Sequence, residues 1–194
     1  MKQRLIFATG NEGKMKEVRE ILAETGYEIV SMKEAGVDMD IIEDGKTFEE
    51  NALIKAKAVM EATGELTLAD DSGLEIDAFG GEPGIYSARY LGEDTPYIEK
   101  NQVILDRMKN VSEENRTARF VCAIAAAFPN GQTRTTRGTM EGIIGYEAMG
   151  ENGFGYDPIF YLPKLCKYSA QLSSDEKNSL SHRGEALRKM KEVL

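Results

Sequence analysis

Leu5-Ile6-Phe7-Ala8-Thr9-Gly10-Asn11-Glu12-Gly13-Lys14 lies at the start of this 194-residue chain. It reads as a strand running into a glycine turn and then a helix. Residues 5–8 form a short apolar run. Beyond the turn, Met15, Val18, Ile21 and Leu22 recur on one helical face. Such a junction points the unpaired N–H groups of a first helical turn at one spot, at the positive end of the helix dipole. Lys14 adds a full charge there. The ligand this chemistry suits is a phosphate, and the ligand class is a nucleotide. The spacing is not that of the common P-loop, because two residues rather than four separate Gly10 from Gly13, and Met15 rather than Ser or Thr follows Lys14. P-loop ATPases and GTPases are thereby set aside. A plain strand-to-helix turn carrying a surface lysine stays open.

Outward from this junction, the pattern predicts a helix over about 13–25 that stops at Gly26, and a strand over 27–31. An acidic irregular stretch follows over 33–46, holding Asp38, Asp40, Glu43 and Asp44. Thr47 with Glu50 has the form of a capping box for a helix over 48–62. A short strand, Leu66–Ala69, is expected to end in an Asp70-Asp71-Ser72-Gly73 turn, and a second strand alternates over Leu74–Ala78. A helix is expected over 97–108 and a long strand over 116–128. Pro129-Asn130-Gly131 marks a hairpin into a partner strand over 132–139 or slightly longer. Gly153–Pro158 is a glycine-rich loop. Ser173 or Ser174 caps a short helix, and a last helix runs over about 183–194. Helices and strands alternate early and a hairpin follows, which predicts an α/β fold around a long mixed sheet, in one domain spanning residues 1–194.

Composition excludes several classes. A net charge of −9 opposes a broad nucleic-acid-binding face, although local lysines with a divalent cation can still hold a triphosphate. No apolar run approaches the ~20 residues of a membrane span. The N-terminal segment has no signal-peptide pattern. The expectation is a cytoplasmic protein that binds neither nucleic acid nor membrane. Cys122 and Cys166, the two cysteines, have no metal-ligand spacing, and Cys122 reads as a small core residue.

Several groups could carry chemistry. Asp70 and Asp71 follow a strand, where ligands of open α/β sheets gather, and paired carboxylates suit Mg²⁺; a local Asx turn is the other reading. Glu43, Asn51 and Lys55 can meet, because Asn51 and Lys55 are one helical turn apart; otherwise they form a solvated charged face. Phe154-Gly155-Tyr156-Asp157 offers an aromatic ring to stack on a base and an acid to read it, or a Phe packed into the core. Lys177, His182 and Arg183 lie near the last helix boundary. His182 is the sole histidine, so a Ser-His-Asp or Cys-His arrangement is not available elsewhere.

Six motifs then occur in order: Thr9-Gly10-Asn11-x-x-Lys14, Thr47-Phe48-Glu49-Glu50-Asn51-Ala52, Ala69-Asp70-Asp71-Ser72-Gly73-Leu74, Pro83–Arg89, Gly153–Pro158 and Ser181-His182-Arg183-Gly184. Together they resemble the inosine/xanthosine triphosphate pyrophosphatase family over roughly residues 4–192. The resemblance implies hydrolysis of deaminated purine nucleoside triphosphates, ITP, dITP, XTP or dXTP, to the monophosphate and pyrophosphate. It implies Mg²⁺, a homodimer, and two lobes of the sheet with an active-site cleft between them. By the same resemblance Asp71 is the proton acceptor and a metal ligand. Glu43, with Asp44 beside it as the other choice, is the second metal carboxylate. Thr9, Gly10, Asn11, Glu12, Gly13, Lys14, Lys55 and Lys177 form the triphosphate grip, and Ser72 lies beside the substrate. Phe154, Gly155, Tyr156, Asp157, His182 and Arg183 form the base pocket. Two rival readings are a pyrimidine nucleotide pyrophosphatase, opposed by the Phe154, His182 and Arg183 set, and a non-enzymatic nucleotide-binding module, opposed by Asp71 and the acidic loop. Leu165–Tyr168 matches no motif.

Overall fold

A computed structural model describes residues 3–194. Seven strands form one mixed sheet. They are β1 (Arg4–Phe7), β2 (Glu28–Ser31), β3 (Thr67–Ile76), β4 (Thr117–Ala127), β5 (Thr133–Ile144), β6 (Phe160–Leu162) and β7 (Lys167–Tyr168), in the order β2-β1-β3-β4-β5-β6-β7. Five helices accompany them: α1 (Glu12–Ile21), α2 (Phe48–Thr63), α3 (Tyr97–Arg107), α4 (Ser174–Leu180) and α5 (His182–Lys191). β1 pairs in parallel with both β2 and β3, while β5, β6 and β7 pair antiparallel. The expected α/β mixed sheet is therefore present. No helix among the described residues is long and apolar enough to cross a membrane.

The chain divides into two compact units. The first holds the residues up to Asp71, Cys122–Gly138 and His182–Leu194; the second holds Ser72–Val121 and Thr139–Ser181. Three boundaries fall inside β3, β4 and β5, and the fourth lies between α4 and α5. In the first unit Leu5 and Phe7 of β1, Met15, Val18 and Leu22 from the α1 stripe, and Ala186, Leu187 and Met190 of α5 share one core. Cys122 belongs to it, and burial pushes its thiol up to about 12, so it is an inert packing residue. In the second unit Ile104, Phe120, Tyr156 and Phe160 anchor a separate core.

Three local expectations are corrected. β3 runs unbroken through Asp70-Asp71-Ser72-Gly73 instead of turning there. Polar residues that would bond to their own backbone in a turn instead find partners on other elements, so the ladder need not end. Thr47 does cap α2 by accepting from the Glu50 N–H, but the Glu50 carboxylate accepts from Lys46 N–H rather than closing the box on Thr47. β6 and β7 lie where no strand was expected; with three and two residues they are too short to show a period. Ser173 is the α4 cap, and its box with Glu176 is complete.

Candidate active site

In the first unit, β1 pairs with β3 at Ile6↔Thr67 and Phe7↔Leu68, and Ala8 N–H still donates to Leu68 O at 2.7 Å before Thr9 N–H turns back to Phe7 O, so the chain leaves β1 two residues before Asp70 in the register. The parallel pairing thus brings the phosphate-type loop, which follows the carboxyl end of β1, beside the aspartate pair in the middle of β3. Asn11 caps α1, its side chain accepting from Lys14 N–H at 3.1 Å, and Thr9 Oγ1 accepts from Asn11 N–H at 3.2 Å. These contacts fix the turn. Helix geometry leaves the first-turn N–H groups of Glu12 and Gly13 outside the intrahelical ladder.

The pleat sends Asp70 and Asp71 to opposite faces of β3. Asp70 is 1% exposed and meets Lys14 Nζ at 2.9 Å and Arg183 Nη2 at 3.3 Å. Arg183, also buried, pairs in addition with Glu17 of α1. Burial alone would raise the pKa of Asp70. Lys14, Arg183 and Lys55 outweigh it and hold the carboxyl far below the ordinary carboxylate range.

Asp71 has the opposite balance. Asn51 Nδ2 donates to Asp71 Oδ2 at 3.1 Å, and Lys55 Nζ lies 4.0 Å from Oδ1. Burial dominates and raises the pKa of Asp71, with Glu43 adding to the rise against Lys55 and Asn51. Lys55 is bonded to Glu43 Oε2 at 2.8 Å. Burial works against its charge too, but Asp70, Asp71 and Glu43 prevail and hold Lys55 above the ordinary lysine value. Asn51 Oδ1 accepts from Gly45 N–H at 2.9 Å, so one buried amide ties the acidic loop to Asp71. Gly45 is required there, since a Cβ would stand 2.6 Å from Asn51 Oδ1. The structure thus brings Glu43, Asn51, Lys55 and Asp71 together, and it is Glu43 rather than the exposed Asp44 that reaches the group.

These two linked groups hold the carboxylates Glu17, Glu43, Asp70 and Asp71 against the cations Lys14, Lys55 and Arg183. Glu43 and Asp71 already converge on a single cationic point, the Lys55 ammonium. No cluster of three or more metal-type side chains occurs among the described residues. Glu43 and Asp71 are the two carboxylates here whose hard oxygen donors suit a divalent cation such as Mg²⁺.

The other expected residues divide between the units. His182 opens α5 in the first unit and is 5% exposed; its carbonyl lies so near β5 that a Cβ on Gly138 would come within 2.2 Å of it. Ser72 is the first residue of the second unit and follows Asp71 in β3. The Phe154–Asp157 segment and Lys177 lie in the second unit. Tyr156 is a core residue whose hydroxyl donates to Ser87 O at 2.7 Å. Asp157 is buried against Lys177 Nζ at 2.7 Å, and that ammonium sits 4.7 Å from the centre of the half-exposed Phe154 ring. Lys177, expected in the triphosphate grip, is thus joined to the Phe154 loop.

Sequence reasoning missed Glu17, the partner role of Asp70, and Ser169 and Asn101, which bond Asp157 and the Gly155 carbonyl. A signal existed for Glu17: it stands three residues after Lys14, beside the apolar stripe of α1. Asn101 had one too, as a polar residue within the buried face of α3.

The protein-family model described as the Ham1 family matches residues 5–193. A protein of Desulforamulus reducens named dITP/XTP pyrophosphatase is 50% identical over 98% of this chain and 95% of its own length. One of the same name from Bacillus subtilis is 50% identical over 97% and 96%. Among solved structures, the Staphylococcus aureus Ham1 protein superposes with a TM-score of 0.88 at 41% identity, covering 98% of this chain and 97% of that one. A family model over nearly the whole chain, relatives at 50% identity and a solved structure with the same fold agree: the chain belongs to the Ham1 family.

Proposed function

We propose that the protein hydrolyses deaminated purine nucleoside triphosphates, (d)ITP and XTP or dXTP, to the monophosphate and pyrophosphate, and so clears them from the nucleotide pool. The observation that carries this reading is the arrangement at Asp70 and Asp71. One strand places a carboxylate that holds Lys14 at 2.9 Å next to one fixed by Asn51 at 3.1 Å and placed to accept a proton. Relatives named dITP/XTP pyrophosphatase at 50% identity support the substrate class.

Water attacks the α-phosphorus, the bond to the bridging oxygen breaks, and pyrophosphate leaves. Asp71 takes the proton of the attacking water, held in place by Asn51. Lys14 and Lys55 neutralise the departing pyrophosphate, and the first-turn N–H groups of α1 seat phosphate oxygens. Lys14 cannot swing away, because Asp70 pins it. Glu43 and Asp71 are the residues to hold Mg²⁺, which when bound supplies charge to the phosphate oxygens and acidifies water. Discrimination rests on the purine 6-position: a carbonyl and ring N–H in ITP and XTP replace the amino group of ATP. We assign base recognition to Phe154 and its loop, and to His182 and Arg183. Buried donors facing the wrong group give large selectivity.

Hydrolysis of ITP in ¹⁸O-labelled water tests the reaction. The expected products are labelled IMP and unlabelled pyrophosphate by phosphorus NMR; IDP with labelled phosphate would refute attack at the α-phosphorus. The working assembly is proposed as a homodimer in the cytoplasm, supported by exposed Tyr86, Leu91, Tyr97 and Ile98 clustered in sequence in the second unit. Light scattering is expected to give twice the chain mass, and a monomer at micromolar concentration would exclude that assembly.

A further inference from the structure

In the first unit two cations meet on one atom. Lys14 Nζ of α1 lies 2.9 Å from Asp70 Oδ2, and Arg183 Nη2 of α5 lies 3.3 Å from the same oxygen. Charge-assisted bonds of this kind usually close to about 2.7–2.9 Å, so the lysine has the tighter bond and the arginine the looser one. The two cations repel, and one oxygen serves both. Packing opposes a shift of either helix, because Met15, Val18 and Leu22 of α1 share a core with Ala186, Leu187 and Met190 of α5. Adjustment is left to the ends of the side chains. Lys14 is the most open of the three: its side chain is 17% exposed, against 1% for Asp70 and 2% for Arg183. Arg183 is also held by Glu17 through its other terminal nitrogen. What its guanidinium presents to a ligand is therefore set by these two carboxylates.

A phosphate seated at the start of α1 meets Lys14 first. The ammonium keeps its place but divides its charge between the phosphate and Oδ2. Its hold on Oδ2 weakens, and Arg183 closes the longer distance, drawn firmly between Glu17 and Asp70. We propose that Asp70 couples the two ends of the substrate: through its shared Oδ2, a pyrophosphate group on Lys14 fixes Arg183 and so tightens binding of the purine base. Asp70 is a positioning residue and touches neither end. The inference rests on the assignment of Lys14 to the triphosphate grip and of Arg183 to base recognition. Such coupling is reciprocal, so the base must tighten pyrophosphate by the same factor.

Inosine and pyrophosphate are the probes. Inosine is neutral, so no charge–charge attraction joins the two ligands directly. Calorimetric titration gives Kd for each, with and without saturating amounts of the other. In the wild type each is expected to tighten the other about fivefold or more. Asp70→Asn keeps the shape and removes the charge that both cations share, and the factor is expected to fall to about one. Lys14→Ala leaves Oδ2 to Arg183 alone. That variant, without pyrophosphate, is expected to bind inosine as tightly as the pyrophosphate-saturated wild type does. A purely structural Asp70 would lower the melting temperature when replaced and leave the factor alone. Independent Kd values in the wild type overturn the proposal, as does a factor that survives in folded Asp70→Asn. Should Asp70→Asn not fold, Lys14→Ala decides: an inosine Kd equal to that of the unliganded wild type overturns the proposal. If the wild type binds no inosine, or no pyrophosphate, the assignment of Arg183 or of Lys14 is what fails, and the coupling falls with it.

Discussion

Asp71 sits in a field that resists its charge, and that sets what its replacement does. Its raised pKa means that the ionised carboxylate costs stability in the metal-free protein at neutral pH. Asp71→Asn removes that cost and keeps the shape. The variant is therefore expected to melt at or above the wild-type temperature in EDTA while losing about 10²–10⁴-fold in turnover, the usual worth of a general base. Mg²⁺ should raise the melting temperature of the wild type and not that of the variant, since only a bound ligand shifts the equilibrium. Calorimetry with and without Mg²⁺ checks both. A variant that keeps wild-type kcat would remove Asp71 from the chemistry.

Asp70 joins elements: through Lys14 of α1 and Arg183 of α5 it ties both helices to the strand β3, and Arg183 also reaches Glu17 of α1. Asp70→Asn would leave Lys14 and Arg183 short of a partner in a buried site, a loss of about 3–5 kcal/mol. Since the folded pKa of Asp70 is depressed, its contribution is complete above the unfolded value near ~3.9 and is lost as pH falls toward the lower folded value. Urea unfolding should thus show a wide gap between wild type and variant at pH 7 that narrows below about pH 4; a gap independent of pH would contradict the ion-pair account. At this scale the sequence was readable where signals are local. The strand, turn and α1 around Thr9–Lys14, and the Thr47-capped α2 closed by Gly64, rest on residues within one turn of each other. It misled at Asp70–Gly73, because turn-forming residues were in fact strand residues with distant partners. The partners of Arg183 lie 113 and 166 residues away, and no local pattern encodes such a pairing.

Across the whole molecule, the mixed sheet followed from helix–strand alternation and a hairpin signal, while β6 and β7 escaped because their few residues carry no periodicity. The grouping of Glu43, Asn51 and Lys55 was legible because helical spacing sufficed to suggest it, whereas Asp71 was joined to Glu43 only by the family resemblance, since it reaches the group from the middle of β3. The hub at Asp157 was not, since Ser169 and Lys177 reach it from separate elements. One measurement bears on the central claim most directly: pyrophosphate release with Mg²⁺ from ITP, dITP, XTP, GTP, ATP, dTTP and UTP at equal concentration. Release from ITP, dITP and XTP with kcat/KM at least about 10²-fold above that for ATP is the expected result, in line with rejection through mismatched buried polar groups. Equal release from ATP, or a preference for dTTP or UTP, would contradict the assignment of this site to deaminated purines.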